Sequence, residues 1–191
     1  MIALDEDMVG TDGDTIIVQG LRLCLGLLCK TGNQLIGAHF TSHDTVQDMN
    51  IIMRRIRLWA ANNINWMLMA AKFNFWTQSS SGLNSKEKLA AYFRTQLLYP
   101  GPMNYIDCSF APVSYDIKCV KGLQPTLYYR ATPNPNPTNP KPLPNVYKLR
   151  KPMGGVPQLV QTNAGQPGIY HLVPKNTSAG FIMLRDIRVL R

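Results

Sequence analysis

Metal-ligating residues are scarce in this sequence. Three histidines accompany four cysteines, at positions 24, 29, 108 and 119, and no CxxC pair occurs. Structural zinc asks for four closely spaced Cys or His ligands, so neither a metal nor another cofactor is expected. Long apolar runs are also missing: none approaches the roughly 18 uninterrupted residues of a membrane span. The opening Met-Ile-Ala-Leu-Asp-Glu-Asp lacks a basic stretch followed by an apolar one. No secretory signal is therefore expected, leaving a cytoplasmic protein or one exported by a signal-independent route. On that basis the thiols are read as reduced, with Cys29, Cys108 and Cys119 as small buried hydrophobes. Acidic residues are few, 11 against 20 Lys and Arg, for a net charge of +9. The basic residues are dispersed. Their densest groups, Arg54-Arg55-Arg57, Lys148-Arg150-Lys151 and Arg185-Arg188-Arg191, form no concentrated footprint, so nucleic acid is not the expected partner.

What the sequence does have is 191 residues and an apolar fraction of 45%, enough for a core without staples. Residues 1–14, acidic and glycine-containing, read as a poorly ordered start. Thr15–Leu28 reads as one long strand and Leu35–Phe40 as its hairpin partner. Val46, Met49, Ile52, Met53, Ile56 and Trp59 recur at helical spacing, with Thr41–Asp44 supplying capping side chains before them. Ile64–Trp76 reads as a central strand ending in the alternating Phe73-Asn74-Phe75-Trp76. Asn84 and Glu87 open a second helix over Lys86–Leu98. Ile106–Pro112, Tyr115–Val120 and Thr126–Ala131 read as strands. Thr132–Pro144 holds six prolines in thirteen residues and reads as a polyproline-like linker. Beyond it, Val146–Leu149, Gln158–Gln161, Ile169–Val173 and Phe181–Leu190 are strand candidates. The expected architecture is α/β of the α+β kind, a mixed and largely antiparallel sheet core with two main helices. It occupies residues 1–131, followed by a linker at 132–144 and an irregular β-type C-terminal extension at 145–191. A monomer is expected.

Chemistry concentrates on Cys24 and His39. A loop symmetric about Thr31-Gly32 sets Leu28 opposite Leu35, Gly26 opposite Gly37, and Cys24 opposite His39, with Cβ atoms about 4.5–5.5 Å apart. A turn centred on Gly32-Asn33 instead moves the partner of Cys24 to Thr41, with His39 still on the same face. A thiol beside an imidazole can lose its proton to it, and the thiolate is the nucleophile. The glycine pair inward of them is expected to leave room for a substrate. His43 is a rival base, set back by its place at a helix N-terminus. Asp44 reads as an N-cap, with orienting a histidine as its other role.

The strand bearing Cys24, the return strand bearing His39 within Ile36-Gly37-Ala38-His39-Phe40, and the following helix, strand, loop, helix and strands resemble the cysteine-dependent glutamine deamidases. That superfamily includes the chemotaxis receptor deamidases and the catalytic domains of the cytotoxic necrotizing factors. The resemblance covers about residues 15–120 and rests on element order and one short motif. It includes a second apolar cysteine matching Cys29, and the family's Gly-Gly-Met-Asn-His-Phe return strand is echoed by Ile36-Gly37-Ala38-His39-Phe40. It implies Cys24 as nucleophile and His39 as base. Thr15, Gln19 and His43 are candidates for a third, orienting group. The small residue that precedes the family's nucleophile is replaced here by Leu21-Arg22-Leu23. The implied function is a hydrolase that converts a glutamine (or asparagine) side-chain amide of a protein substrate to a carboxylate through a thioester, as in bacterial effectors and toxins. The alternatives are a cysteine peptidase or transglutaminase-like acyl transferase with the same dyad, and a non-enzymatic basic binding or structural module.

Overall fold

The computed structural model describes residues 1–76, 79–109, 114–132, 137–141, 145–161, 171–174, 180–185 and 187–190. The chain runs β1 (Ile2–Leu4), β2 (Met8–Asp12), β3 (Thr15–Leu21), β4 (Leu25–Lys30), β5 (Leu35–Phe40), α1 (Val46–Ala60), β6 (Trp66–Ala71), the short α2 (Phe73–Trp76) and α3 (Lys86–Leu97). It continues with β7 (Met103–Asp107), β8 (Ser114–Val120), β9 (Thr126–Thr132), β10 (Pro137–Lys141), β11 (Val146–Arg150), β12 (Gln158–Gln161), β13 (His171–Pro174), β14 (Ile182–Met183) and β15 (Arg188–Leu190). This is an α+β fold.

One sheet has eight strands in the order β12-β11-β2-β5-β4-β6-β7-β15, and a second has five, β1-β3-β8-β9-β14. All neighbours in the large sheet are antiparallel except β6 and β7. Side chains alternate across a strand, and both faces of the large sheet are covered. Leu25, Leu27, Cys29, Ile36, Ala38 and Phe40 meet Met49, Ile52, Phe93 and Leu97 of the two long helices. Cys24, Leu28 and Leu35 face Ile16, Val18, Ile117 and Cys119 of the small sheet. Burial on both sides explains why β4, β5 and β6 read as nearly unbroken apolar runs. The helix α1 follows its stripe: Met49, Ile52, Met53 and Ile56 are buried. Arg55 lies off that stripe and stacks over Tyr147, 4.1 Å from its ring centre.

Several expectations change. Residues 1–14 are not a loose start, because β1 pairs in parallel with β3 and β2 pairs with both β5 and β11. The run Thr15–Leu28 is not one strand. It breaks at Arg22–Cys24, where Arg22 and Leu23 are exposed, and its halves enter different sheets. The break is prepared by Gly20 in the left-handed region (φ 67°), where glycine carries no Cβ penalty, with a register shift between Val18 and Leu21. Phe73–Trp76 is a helical turn rather than a strand end. The first long helix is capped by Thr45, which forms a capping box with Asp48, and the second by Ser85; neither Asp44 nor Asn84 caps. Phe181–Leu190 divides between the two sheets as β14 and β15.

The C-terminal extension is woven into the core: β11 pairs with β2, β14 with β9 and β15 with β7. Within the proline-rich stretch, residues 137–141 pair with 171–174; residues 133–136 and 142–144 lie outside the described residues. Among the described residues, no helix is long and apolar enough to cross a membrane.

Candidate functional site

Two crossings between the sheets meet at one end of the sandwich. The turn Asp5–Asp7 carries the chain from β1 to β2, and the link Arg22–Cys24 carries it from β3 to β4. Cys24 therefore sits just before a strand, not within one. The β4–β5 register is Leu25 to Phe40, Gly26 to His39 and Leu28 to Gly37. Cys24 is thus not directly opposite His39; the hairpin follows the Gly32-Asn33 alternative. The parity of the pairing is unchanged, so Cys24, Gly26 and His39 share the face toward the small sheet, with thiol and imidazole on the diagonal. Diagonal neighbours stand roughly 7–8 Å apart, within reach of long side chains.

The thiol's hydrogen bond goes elsewhere, from Cys24 Sγ to Glu6 Oε1 at 3.6 Å. Cys24 is 5% exposed and His39 is wholly buried. Burial first, then the charge and hydrogen bond of Glu6, push the thiol pKa upward, while the Leu23 amide acts in the opposite sense. Burial lowers the imidazole pKa below its ordinary 6.5, against the charges of Asp5, Glu6 and Asp44 and the neighbouring Leu4 backbone. The Leu4 carbonyl approaches the ring without reaching hydrogen-bond geometry: among the described residues neither Nδ1 nor Nε2 has a partner. Both shifts favour the protonated thiol and the neutral imidazole.

The glycines do not leave open space. A Cβ on Gly37 would stand 2.8 Å from Ile16 Cγ2 and 2.8 Å from Leu4 Cδ1, and one on Gly26 would stand 3.1 Å from Val18 Cγ1. They admit the small sheet's side chains, not a substrate. Two surface cavities, of about 590 Å³ beside Thr31–Gln34 and about 710 Å³ between Tyr105 and Ile182, are lined by other residues.

The third-group candidates are not brought to the pair. Thr15 opens β3, with Leu21 at the far end, about 20 Å along an extended strand. Gln19 is buried but shares a face with Ile17, opposite to that of Val18. His43 is exposed in the turn before α1. Asp44, by contrast, is fully buried and close enough for its charge to act on His39. It accepts from the Thr41 N–H at 2.8 Å and from Lys151 Nζ. Lys151 Nζ also lies 3.8 Å from Asp7 and 3.7 Å from Asp48. The hydrogen bond and charge of Asp44 raise the Lys151 pKa despite the opposing effect of burial. Burial, together with Asp44, raises Asp7 to about 7.

Sequence reasoning missed Glu6, Asp7 and Lys151. The acidic Asp5-Glu6-Asp7 run was visible, but its position beside Cys24 depends on strand pairings distant in the chain. All four cysteines are free thiols. Among the described residues no cluster of three or more His, Cys, Asp or Glu could hold a metal. Comparison with family models, curated proteins and solved structures returns no match.

Proposed function

We propose that the chain is a Cys–His amidohydrolase of the deamidase type, acting on the side-chain carboxamide of a glutamine or asparagine in another protein. The observation that carries this reading is the environment of His39. A wholly buried imidazole with two unpartnered nitrogens shares a face with a thiol at the break between two strands. An unsatisfied buried polar group costs about 1–3 kcal/mol, and an aliphatic side chain in that place would cost nothing of the kind. Proton transfer is a reason for an imidazole there.

Burial keeps the ring neutral, the form that accepts a proton. His39 takes the Cys24 proton as the sulfur attacks the amide carbon, and gives it to the departing ammonia. It then deprotonates the water that opens the thioester, yielding a carboxylate and the free thiol. The backbone amides of Arg22–Cys24 stand outside both strand ladders, the Leu23 amide already lies against the sulfur, and on this reading they serve the oxyanion, where each donor is typically worth about 10²–10³-fold in rate.

The test is ammonia release from casein, with intact-mass analysis of the product. Cys24→Ser and His39→Ala should each abolish release while the melting transition survives. Full activity in Cys24→Ser ends the proposal. Chain cleavage in place of deamidation would point to a peptidase, and amine incorporation to an acyl transferase.

One observation favours a second reading, a non-enzymatic module with a basic surface: the buried Cys24 thiol donates to Glu6, not to His39. On that reading neither the natural chain nor Glu6→Ala releases ammonia.

A further inference from the structure

Glu6 is the only side chain that hydrogen-bonds the Cys24 sulfur among the described residues. Its group is a carboxylate on a two-carbon stem, which is what deamidation of a glutamine leaves behind. Glu6 itself is exposed, and the residues on either side of it fix the turn. Asp7 follows in the left-handed region at φ 63°, uncommon for a residue with a Cβ. Its carbonyl accepts from the Leu149 N–H at 2.7 Å, and its carboxylate lies 3.8 Å from Lys151 Nζ, whose hydrogen bond goes to the neighbouring Asp44. On the other side of the turn, Leu4 pairs with Val18 and stands beside the His39 ring. The turn thus lies over both Cys24 and His39, and the C-terminal segment around β11 clamps it from behind.

We propose that the Asp5–Asp7 turn is an internal product mimic, in which Glu6 occupies the place of the substrate side chain on a lid that the β11 backbone and the Lys151 charge together hold shut. The inference rests on the deamidase reading and extends it to the class of substrate: a glutamine presented on a tight turn with an acidic residue after it. Lys148 and Lys151, whose charges favour ionised Asp7, would meet that following acid once the lid has swung away.

Two measurements test this separately. In Glu6→Gln the resident side chain becomes a carboxamide beside the sulfur. Attack by Cys24 expels ammonia, and water then opens the thioester to restore the natural glutamate. Peptide mass spectrometry at position 6 should show this conversion in Glu6→Gln and its absence when Cys24→Ser is added. The second measurement, iodoacetamide labelling, needs no enzymatic activity. In Lys151→Met and in Glu6→Ala, Cys24 should label about tenfold faster through local opening, with Cys29, Cys108 and Cys119 unchanged. Unchanged labelling of Cys24 overturns the lid, as does equal acceleration of all four thiols. A persistent carboxamide in Glu6→Gln, when Glu6→Ala releases ammonia from casein, overturns the product mimic and leaves the deamidase reading standing. If neither variant shows any deamidation, the reading falls and the product mimic falls with it.

Discussion

Gly26 stands directly across the β4–β5 ladder from His39, so the imidazole faces a position without a side chain, and the space above it is filled by Val18 and Leu21 of the opposing sheet. The sandwich closes tightly here because glycine is present at this position and again at Gly37.

Alanine at these positions should be destabilising in a defined order. At Gly37 the new methyl group meets two side chains at 2.8 Å, whereas at Gly26 the nearest atom is at 3.1 Å. Overpacking of this kind costs about 1–3 kcal/mol. Urea midpoints should fall further for Gly37→Ala than for Gly26→Ala. The reverse order would mean that the sheets are not packed as described.

His39→Leu should abolish ammonia release yet fold at least as well at acidic pH. The folded imidazole titrates below its ordinary 6.5, so the unfolded chain takes up the proton first. The stability associated with His39 is present above that ordinary value and is lost as pH falls below it. The difference in stability between His39→Leu and the natural chain should therefore shift toward the variant from roughly pH 8 to roughly pH 5. A difference independent of pH would place the ring in contact with water.

Asp7 has the opposite sign. Its folded pKa, about 7, lies above the ordinary 3.8, through burial first and then Asp44. The folded state thus holds a proton that the unfolded chain has given up, and stability declines as pH rises between those two values. Asp44, Lys151 and Lys148 are the charged groups around it. Asp7→Asn should gain relative stability across that window and level off above it. A constant offset in urea midpoints would rule out the raised Asp7 pKa.

Asp116 is 1% exposed. It accepts from the Gly20 N–H at 3.0 Å and from Arg130 Nε at 3.1 Å. It therefore ties the left-handed turn that ends β3, and so sets where Cys24 emerges, to a mostly buried guanidinium. Asp116→Ala removes this ion pair from the guanidinium together with the acceptor for Gly20, and breaking a buried pair costs about 3–5 kcal/mol. Asp116→Asn keeps an acceptor for Gly20 and should lose less. Equal thermal shifts in the two variants would show that the acceptor for Gly20 contributes nothing and that the whole effect lies in the charge.

Local periodicity carried the parts of the fold that were legible in the sequence. The stripe from Met49 to Ile56 and the Leu89–Leu97 face specify α1 and α3, because packing on one side imposes the helical repeat. The shared face of Cys24 and His39 was legible too: moving the hairpin turn from Thr31-Gly32 to Gly32-Asn33 changes the partner but not the parity. What stayed hidden depends on distant pairing. Nothing near Ile2 or Met8 announces β3, β5 or β11 as neighbours. The leucine-rich run hides its break at Arg22–Cys24, since the residues on either side are buried alike, in different sheets. Gly37 looked like spare room because the residues that fill it, Ile16 and Leu4, come from the other layer. The lysine at 151 read as one of several surface charges, and only β11 beside β2 brings it to Asp44.

The wide sequence gap in that last contact sets an order of assembly. Asp44 and Lys151 are 107 positions apart, so a ribosome finishes the strands carrying the sulfur and the ring long before it delivers the amine that fastens them in. Each newly made molecule passes through a stage in which the buried Asp44 lacks its lysine partner, and a protease that nicks the chain between those two positions and frees the later piece would return a finished molecule to that stage.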